Sequence, residues 1–222
     1  MKHAAKKKHM ELELPGGARR LLLHSCCAPC AGGILETLVE ARVAVTLYFC
    51  NPNIHPRDEY RKRKEEQRDF AVKLGVDFVD ADNDPAPWFR AVSGLEEEAE
   101  RGARCGVCFE MRLASTAAYA AAHGFEVFAT TLGISRWKDL AQVNEAGLTA
   151  AAAQPGVSFW PFNWRKAGGS QRMIEVSRRE GFYHQQYCGC VFSLRDTNRW
   201  RLQKGQDIIQ RDITAYDRWI KS

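Results

Sequence analysis

The sequence predicts an α/β fold in which a parallel sheet is covered by helices. Two observations carry that prediction: short apolar or β-branched runs alternate along the chain with longer segments of helical spacing, and the order strand, helix, strand repeats. A third fits with them. At 222 residues the chain can bury a core without disulfide staples, so its eight cysteines are available for chemistry.

The elements follow in order. "RLLLH" (20–24) reads as a short buried strand, and "GGILETLVEAR" (32–42) has helical spacing at Ile34, Leu35, Leu38 and Val39. "VAVTLYFCNPN" (43–53) is a strand stopped by Asn-Pro-Asn, and "RDEYRKRKEEQRDFAVKLG" (57–75) is a charged helix closing at Gly75. "VDFVDAD" (76–82) supplies a third strand. "DPAPWFRAVSGLEEEAERGARC" (84–105) reads as two short helices around Gly94, and "FEMRLASTAAYAAAHG" (109–124) as a helix closed by Gly124. "EVFATTL" (126–132) is a fourth strand, "LAQVNEAGLTAAAA" (140–153) is helical despite Gly147, "VSFWPF" (157–162) is a fifth strand, and "GSQRMIEVSRREGF" (169–182) is another helix. From Val191 onward helical spacing resumes with a basic character. The expected organisation is a basic, mobile tail (1–19), one Rossmann-like domain of the HUP or pyrophosphatase-loop kind (20–190), and a helical C-terminal segment (191–222) packed on it. Ligands of such sheets sit beyond the carboxyl ends of the strands, where "CCAPC", "CNPNIHP" and "TTLGIS" fall.

Thirty-two Lys and Arg against 27 Asp and Glu give a net charge of +5, a modest bias toward polyanionic partners. The basic start lacks the apolar stretch and cleavage site of a secretory signal, and no window is long and apolar enough to span a membrane. The expected setting is the cytoplasm, where thiols stay reduced and clustered cysteines bind metal or act in catalysis.

The cysteines fall into adjacent Cys26 and Cys27 with Cys30, the C-x-x-C pair Cys105 and Cys108, the C-x-C pair Cys188 and Cys190, and solitary Cys50. A C-x-x-C at a helix start turns two thiolates toward one metal and lowers their pKa through the helix N-terminus. Four thiolates suit structural zinc or an iron–sulfur cluster, and spacing alone leaves both open. A 4Fe-4S cube, with separate iron corners, accepts adjacent cysteines more easily than one tetrahedral ion does. Residues i and i+2 of an extended strand lie about 6.6 Å apart, so a bend at Gly189 would bring Cys188 and Cys190 into disulfide range as a strained, redox-active pair. The alternative makes them further metal ligands. Cys30 either completes a second, partly open metal position or binds nothing, and Cys50 reads as a buried, inert thiol.

Together, "LLLHSCCAPC", "YFCNPNIHPRDEY", "RCGVCFEMRLASTA", "TTLGIS" and "YHQQYCGCVFSLRDTN" closely resemble the QueH family, the cobalamin-independent epoxyqueuosine reductases, from about Leu21 to Asn198. The resemblance implies reduction of the epoxide of epoxyqueuosine, at the tRNA wobble position, to the alkene of queuosine. It implies a 4Fe-4S cluster on Cys26, Cys27, Cys105 and Cys108, a redox-active pair in Cys188 and Cys190, and an adjacent mononuclear iron for which Cys30 is the position to inspect. One departure is Cys50, where a Tyr or Phe is expected.

The partners expected are tRNA carrying epoxyqueuosine and an electron donor, the protein acting as a monomer. Proton donors considered are His24, His55 and Asp196. For RNA contact, "RKRK" (61–64) is either a basic patch or a solvated face of i,i+4 pairs, and Arg195, Arg199, Trp200, Arg201 and Lys204 combine phosphate contact with base stacking. Trp160 and Trp164 are further stacking candidates, while Trp219 reads as core. Two rivals remain. An ATP-dependent tRNA sulfur transferase is disfavoured because thiols occupy the loop where a phosphate nest would lie, and a zinc-stabilised RNA-binding module would need no redox chemistry.

Overall fold

The computed structural model describes residues 12–81 and 84–220. The expected tail therefore falls largely outside them, as do Asp82 and the last two residues. Five strands form one sheet: β1 (Arg20–His24), β2 (Ala44–Phe49), β3 (Asp77–Asp80), β4 (Val127–Thr130) and β5 (Ser158–Phe159). Every pairing is parallel and the order is β3-β2-β1-β4-β5. The chain moves outward from β1 to β3 and then crosses back to β4, so strand order reverses between β1 and β4. That crevice is where a doubly wound sheet receives its ligands.

Alternation along β1 builds the two layers. Leu21 and Leu23 face one core with α1 (Ala28–Glu40), α2 (Arg57–Leu74) and α6 (Gly169–Glu180), while Leu22 faces the other with α4 (Ala103–Ala122) and α5 (Leu140–Ala152). All three leucines are fully buried, each stabilising the fold by about 1.5–3 kcal/mol. Gly147 lies within α5 because a Cβ there would come within 2.5 Å of the Phe159 ring, so the helix can approach β5 only without a side chain. Leu14, ahead of β1, is buried in the first core.

The structure departs from the sequence reading in three places. One short helix, α3 (Ala86–Ala91), precedes Gly94, but no helix follows it: the acids after Gly94 serve as tethers instead. Glu98 accepts the Ala103 amide at the start of α4, and Glu97 pairs with Arg195 and Arg199. Next, β5 is two residues long, although Trp160 still donates its amide to the Phe128 carbonyl at 2.8 Å. Finally, α7 (Val191–Gln203) stops before Gly205, and the rest of the C-terminal segment is irregular apart from a turn and the short α8 (Asp217–Ile220). Among the described residues no helix is long and apolar enough to cross a membrane.

Candidate thiol-rich active site

β1 ends at His24 and α1 begins at Ala28, so three residues carry the chain around the corner. Cys27 takes the extended N-cap conformation and Pro29 follows within the first helical turn, where its missing N–H costs no hydrogen bond. This turn brings the Cys26 and Cys27 sulfurs to 3.8 Å, and those of Cys26, Cys27 and Cys30 all lie within 4.8 Å of one another.

Side chains at the strand ends lock the corner. The Asn51 amide, after β2, donates to the Ser25 carbonyl at 2.8 Å and accepts from Arg112 of α4 at 2.5 Å. His24 is fully buried, bonded to Thr130 of β4 at 2.8 Å and to the Cys50 carbonyl at 3.2 Å. Because a carbonyl can only accept, Nε2 carries a hydrogen. Burial first, and the Arg112 charge second, lower its pKa to about 3. His55, its Nε2 on the Pro52 carbonyl at 3.1 Å and its ring packed on Phe89 and Tyr216, is likewise lowered to about 3 by burial. Both histidines are buried packing elements, and burial disfavours their protonated form. Asp196 is engaged by Arg195 at 3.0 Å and Arg104 at 3.6 Å.

Cys105 and Cys108 lie in the first two turns of α4, three residues apart and therefore on one face. Cys105 packs against the cluster holding Cys26 and Cys27. The expected lowering of this pair by the helix N-terminus is outweighed by burial, which pushes Cys105 up to about 11 and also raises Cys108. At the β1 corner the thiols divide one proton's place among themselves. Hydrogen bonds from Cys27 and Cys30 hold Cys26 well below the usual thiol range, while the bond to Cys26, with burial, pushes Cys27 up to about 12. Two cations face this sulfur-rich interior. Arg112 is 1 % exposed with Nη1 4.0 Å from the Cys108 sulfur, and Lys138 is half-buried beside Cys105 and Cys188. Burial opposes both charges and the surrounding thiols outweigh it.

Cys188 and Cys190 join the same place. With Cys105, Phe109, Lys138 and Ser193 they line a small cavity of about 30 Å³, with Trp137 at its edge. The disulfide expected between them is not formed, and none of the eight cysteines is cross-linked. The reason is local: the Cys190 sulfur is turned to cap α7, accepting the Ser193 amide at 3.3 Å, and the preceding carbonyls are held elsewhere. Arg63 of α2 donates to the Cys188 carbonyl at 2.9 Å and to that of Tyr187 at 3.2 Å, while its Nε binds Glu59 at 2.9 Å. The His55 amide holds the Gly189 carbonyl at 2.8 Å, and Ser193 Oγ accepts the Cys188 amide at 3.0 Å. Gly189 has φ +140°, open to glycine and strained for other residues.

The basic run 61–64 is thus absorbed by the fold. Arg61 pairs with Asp58, Lys64 with Asp80 and buried Arg63 with Glu59, while Lys62 lies over the Tyr183 ring. Trp164 is buried and meets Trp160 edge-on in the core with α1, α2 and α6, and Trp219 stacks on Phe89. Cys50 is buried near Ser115.

The donor set fits an iron–sulfur group: soft thiols concentrated from two elements, three of them mutually close, with fixed cations to balance ligand charge. A family model described as "Epoxyqueuosine reductase QueH" matches residues 21–196. That span contains every element of the site. The chain belongs to the QueH family. Proteins named "Epoxyqueuosine reductase QueH" include one of Acinetobacter baylyi, 51% identical over 95% of this chain and 96% of its own length, and one of Haemophilus influenzae, 55% identical over 90% and 82%. Another, of Thermotoga maritima, is 37% identical over 78% of this chain and 90% of its own length. The match with all three spans most of either partner, so it describes the whole catalytic unit and not a shared module.

Proposed function

We propose that this protein is an epoxyqueuosine reductase, acting in the cytoplasm on tRNA and converting the wobble epoxyqueuosine to queuosine. The observation that carries the reading is the gathering of mutually close thiols at the end of β1, with Cys105 packed against them, in a chain of this family. Removing the epoxide oxygen to leave an alkene takes two electrons and two protons and releases one water.

Cys26, Cys27, Cys105 and Cys108 would hold a 4Fe-4S cluster, and Cys30 would contribute to an adjacent mononuclear iron. When bound, the cluster supplies electrons singly and the iron a Lewis acid. The chain's own residues do the rest. Arg112 and Lys138 balance negative charge on the thiolates, which favours loading and reduction in a buried site. Phe109 and the packed first turns of α4 keep water from the sulfurs. Cys188 and Cys190 are the catalytic thiols: the first is half-exposed at the cavity, and burial keeps the second protonated, with a hydrogen available beside it. The clamp of Arg63, His55 and Ser193 fixes where those thiols stand. Reducing equivalents come from a separate electron donor, and the enzyme works as a monomer.

The test is anaerobic purification followed by iron and sulfide analysis and turnover on epoxyqueuosine-containing tRNA. About five irons per chain, four for the cluster and one for the adjacent site, a broad visible absorption bleached by dithionite, and queuosine formation are expected. A colourless protein after iron–sulfide reconstitution, inactive on that tRNA, would sink the proposal.

A further inference from the structure

Trp137 is 69 % exposed, against 52 % for Trp200, and it lines the cavity together with Cys105, Cys188 and Cys190. A large indole left in water beside reactive thiols has a cost unless something covers it. The loop that carries it is held on purpose. Arg101, just before α4, donates Nε to the Trp137 carbonyl at 3.2 Å and Nη2 to the Arg136 carbonyl at 3.0 Å. Its own amide points at the Cys105 sulfur at 3.3 Å, and its carbonyl accepts from Gln142 at 2.8 Å. Arg101 does this at φ +71°, a left-handed conformation that a non-glycine residue adopts at a cost and that three tertiary hydrogen bonds and one local one hold in place.

Three cationic side chains lie near the indole. Arg136 is exposed, and Arg101 and half-buried Lys138 flank it in space or sequence. The nearby acids are turned to other duties: Glu100 accepts the Ser193 hydroxyl, Glu98 caps α4 and Asp139 caps α5. An exposed aromatic face beside exposed guanidinium groups matches the way proteins grip single-stranded RNA, by stacking an unstacked base and contacting its phosphates. Trp200, the other exposed tryptophan, is ten residues along α7 from Cys190, about 15 Å of helix away from the thiols.

We propose that Trp137 is the stacking platform on which a splayed base of the substrate's RNA loop lies while the modified base enters the thiol site, with Arg101 as the positioning residue that holds the platform. The assignment rests on the reductase reading for what the neighbouring base undergoes, but not for RNA binding itself. Base stacking on an aromatic residue corresponds to roughly 5- to 150-fold in affinity.

Two readouts test it on the reconstituted holoenzyme: affinity for an anticodon stem-loop RNA, and KM and kcat for epoxyqueuosine-containing tRNA. Trp137→Ala should weaken stem-loop binding about tenfold or more and raise KM, with kcat at saturation and the cluster absorption unchanged, and Trp137→Phe should recover most of the loss. Arg101→Ala should raise KM similarly, and the double variant should be no worse than Trp137→Ala alone, because both act through one contact. A Trp137→Ala protein that binds the stem-loop as tightly as the wild type overturns the assignment, whatever the turnover shows. A wild type that binds the stem-loop, loses binding in Trp137→Ala and yet never reduces the epoxide sinks the reductase reading and leaves the platform standing. A wild type that binds no RNA overturns both.

Discussion

Cys26, Cys27 and Cys30 stand where β1 passes into α1, so a strand ladder on one side and a helix on the other fix their backbone. Cys188 and Cys190 stand outside any strand, and the Arg63 side chain and the His55 amide from distant parts of the chain, with nearby Ser193, fix theirs. One half of the site is therefore a property of the fold, and the other is a property of a few hydrogen bonds laid over it. The difference teaches where the site can be perturbed. Changes at the clamp should move the Cys188–Cys190 half while the β1 corner keeps its geometry.

The largest effect should come from Arg63→Met. It strands Glu59, 1 % exposed like Arg63 itself, and removes the donors of two carbonyls. Breaking a buried pair costs about 3–5 kcal/mol, with Tyr183 and Arg211, which also reach Glu59, holding the loss to the lower end. Urea denaturation reads the stability, and loss of turnover with retained visible absorption would locate the damage at the clamp. Next is Gly189→Ala, whose Cβ would lie 3.2 Å from both Arg63 Nη1 and Ile54 Cγ1 at an unfavourable φ. It should cost about 1–3 kcal/mol and lower kcat without loss of iron. Ser193→Ala leaves the Cys188 amide and Glu100 without their partner, for about 1–2 kcal/mol by the same denaturation measurement.

Each half also contains one buried neutral histidine, which gives the smallest and most symmetrical comparison. The unfolded chain takes up a proton near pH 6.5 that folded His24 and His55 refuse until about 3. Their stabilisation is therefore complete above pH 6.5 and is lost as the pH falls from there toward 3, by about 1.4 kcal/mol per unit for each ring. Denaturation midpoints at pH 7.0 and 5.5 should show a shallower fall in His55→Phe than in wild type. An unchanged slope would mean that His55 takes up its proton in the folded protein as it does in the unfolded chain.

Legibility in the sequence divides along the same line. The β1 corner could be read because strand, loop and helix follow one another in the chain, so "HSCCAPC" had to occupy the ligand-binding end of a parallel sheet. The clamp could not, because Arg63 and His55 lie 125 and 134 residues from the carbonyls they hold. Arg63 shows why. Within "RKRK" it resembles its solvated neighbours, and its burial is decided by packing against a loop that comes 125 residues later. A signal was present in the spacing Tyr60, Arg63, Gln67, Phe70, Ala71, a helical stripe that begins and ends with apolar residues and places Arg63 and Gln67 on the buried face. Arg112 has the same signature between Phe109 and Leu113 on the one side and Thr116 and Ala117 on the other. The acids after Gly94 misled the helix reading for the complementary reason: their propensity is helical, but Arg195, Arg199 and the start of α4 compete for their carboxylates. The disulfide expectation failed because i,i+2 spacing permits the bond, while the demand of α7 for a cap orients the Cys190 sulfur.

The most direct test of the two-part site is anaerobic iron and sulfide content, with the visible spectrum, for Cys26→Ser and Cys188→Ser reconstituted in parallel. The account predicts that Cys26→Ser loses the cluster, whereas Cys188→Ser keeps the wild-type iron content and absorption but does not turn over. Loss of the cluster in Cys188→Ser, or its retention in Cys26→Ser, would contradict the division of the thiols into a metal-holding corner and a catalytic clamp.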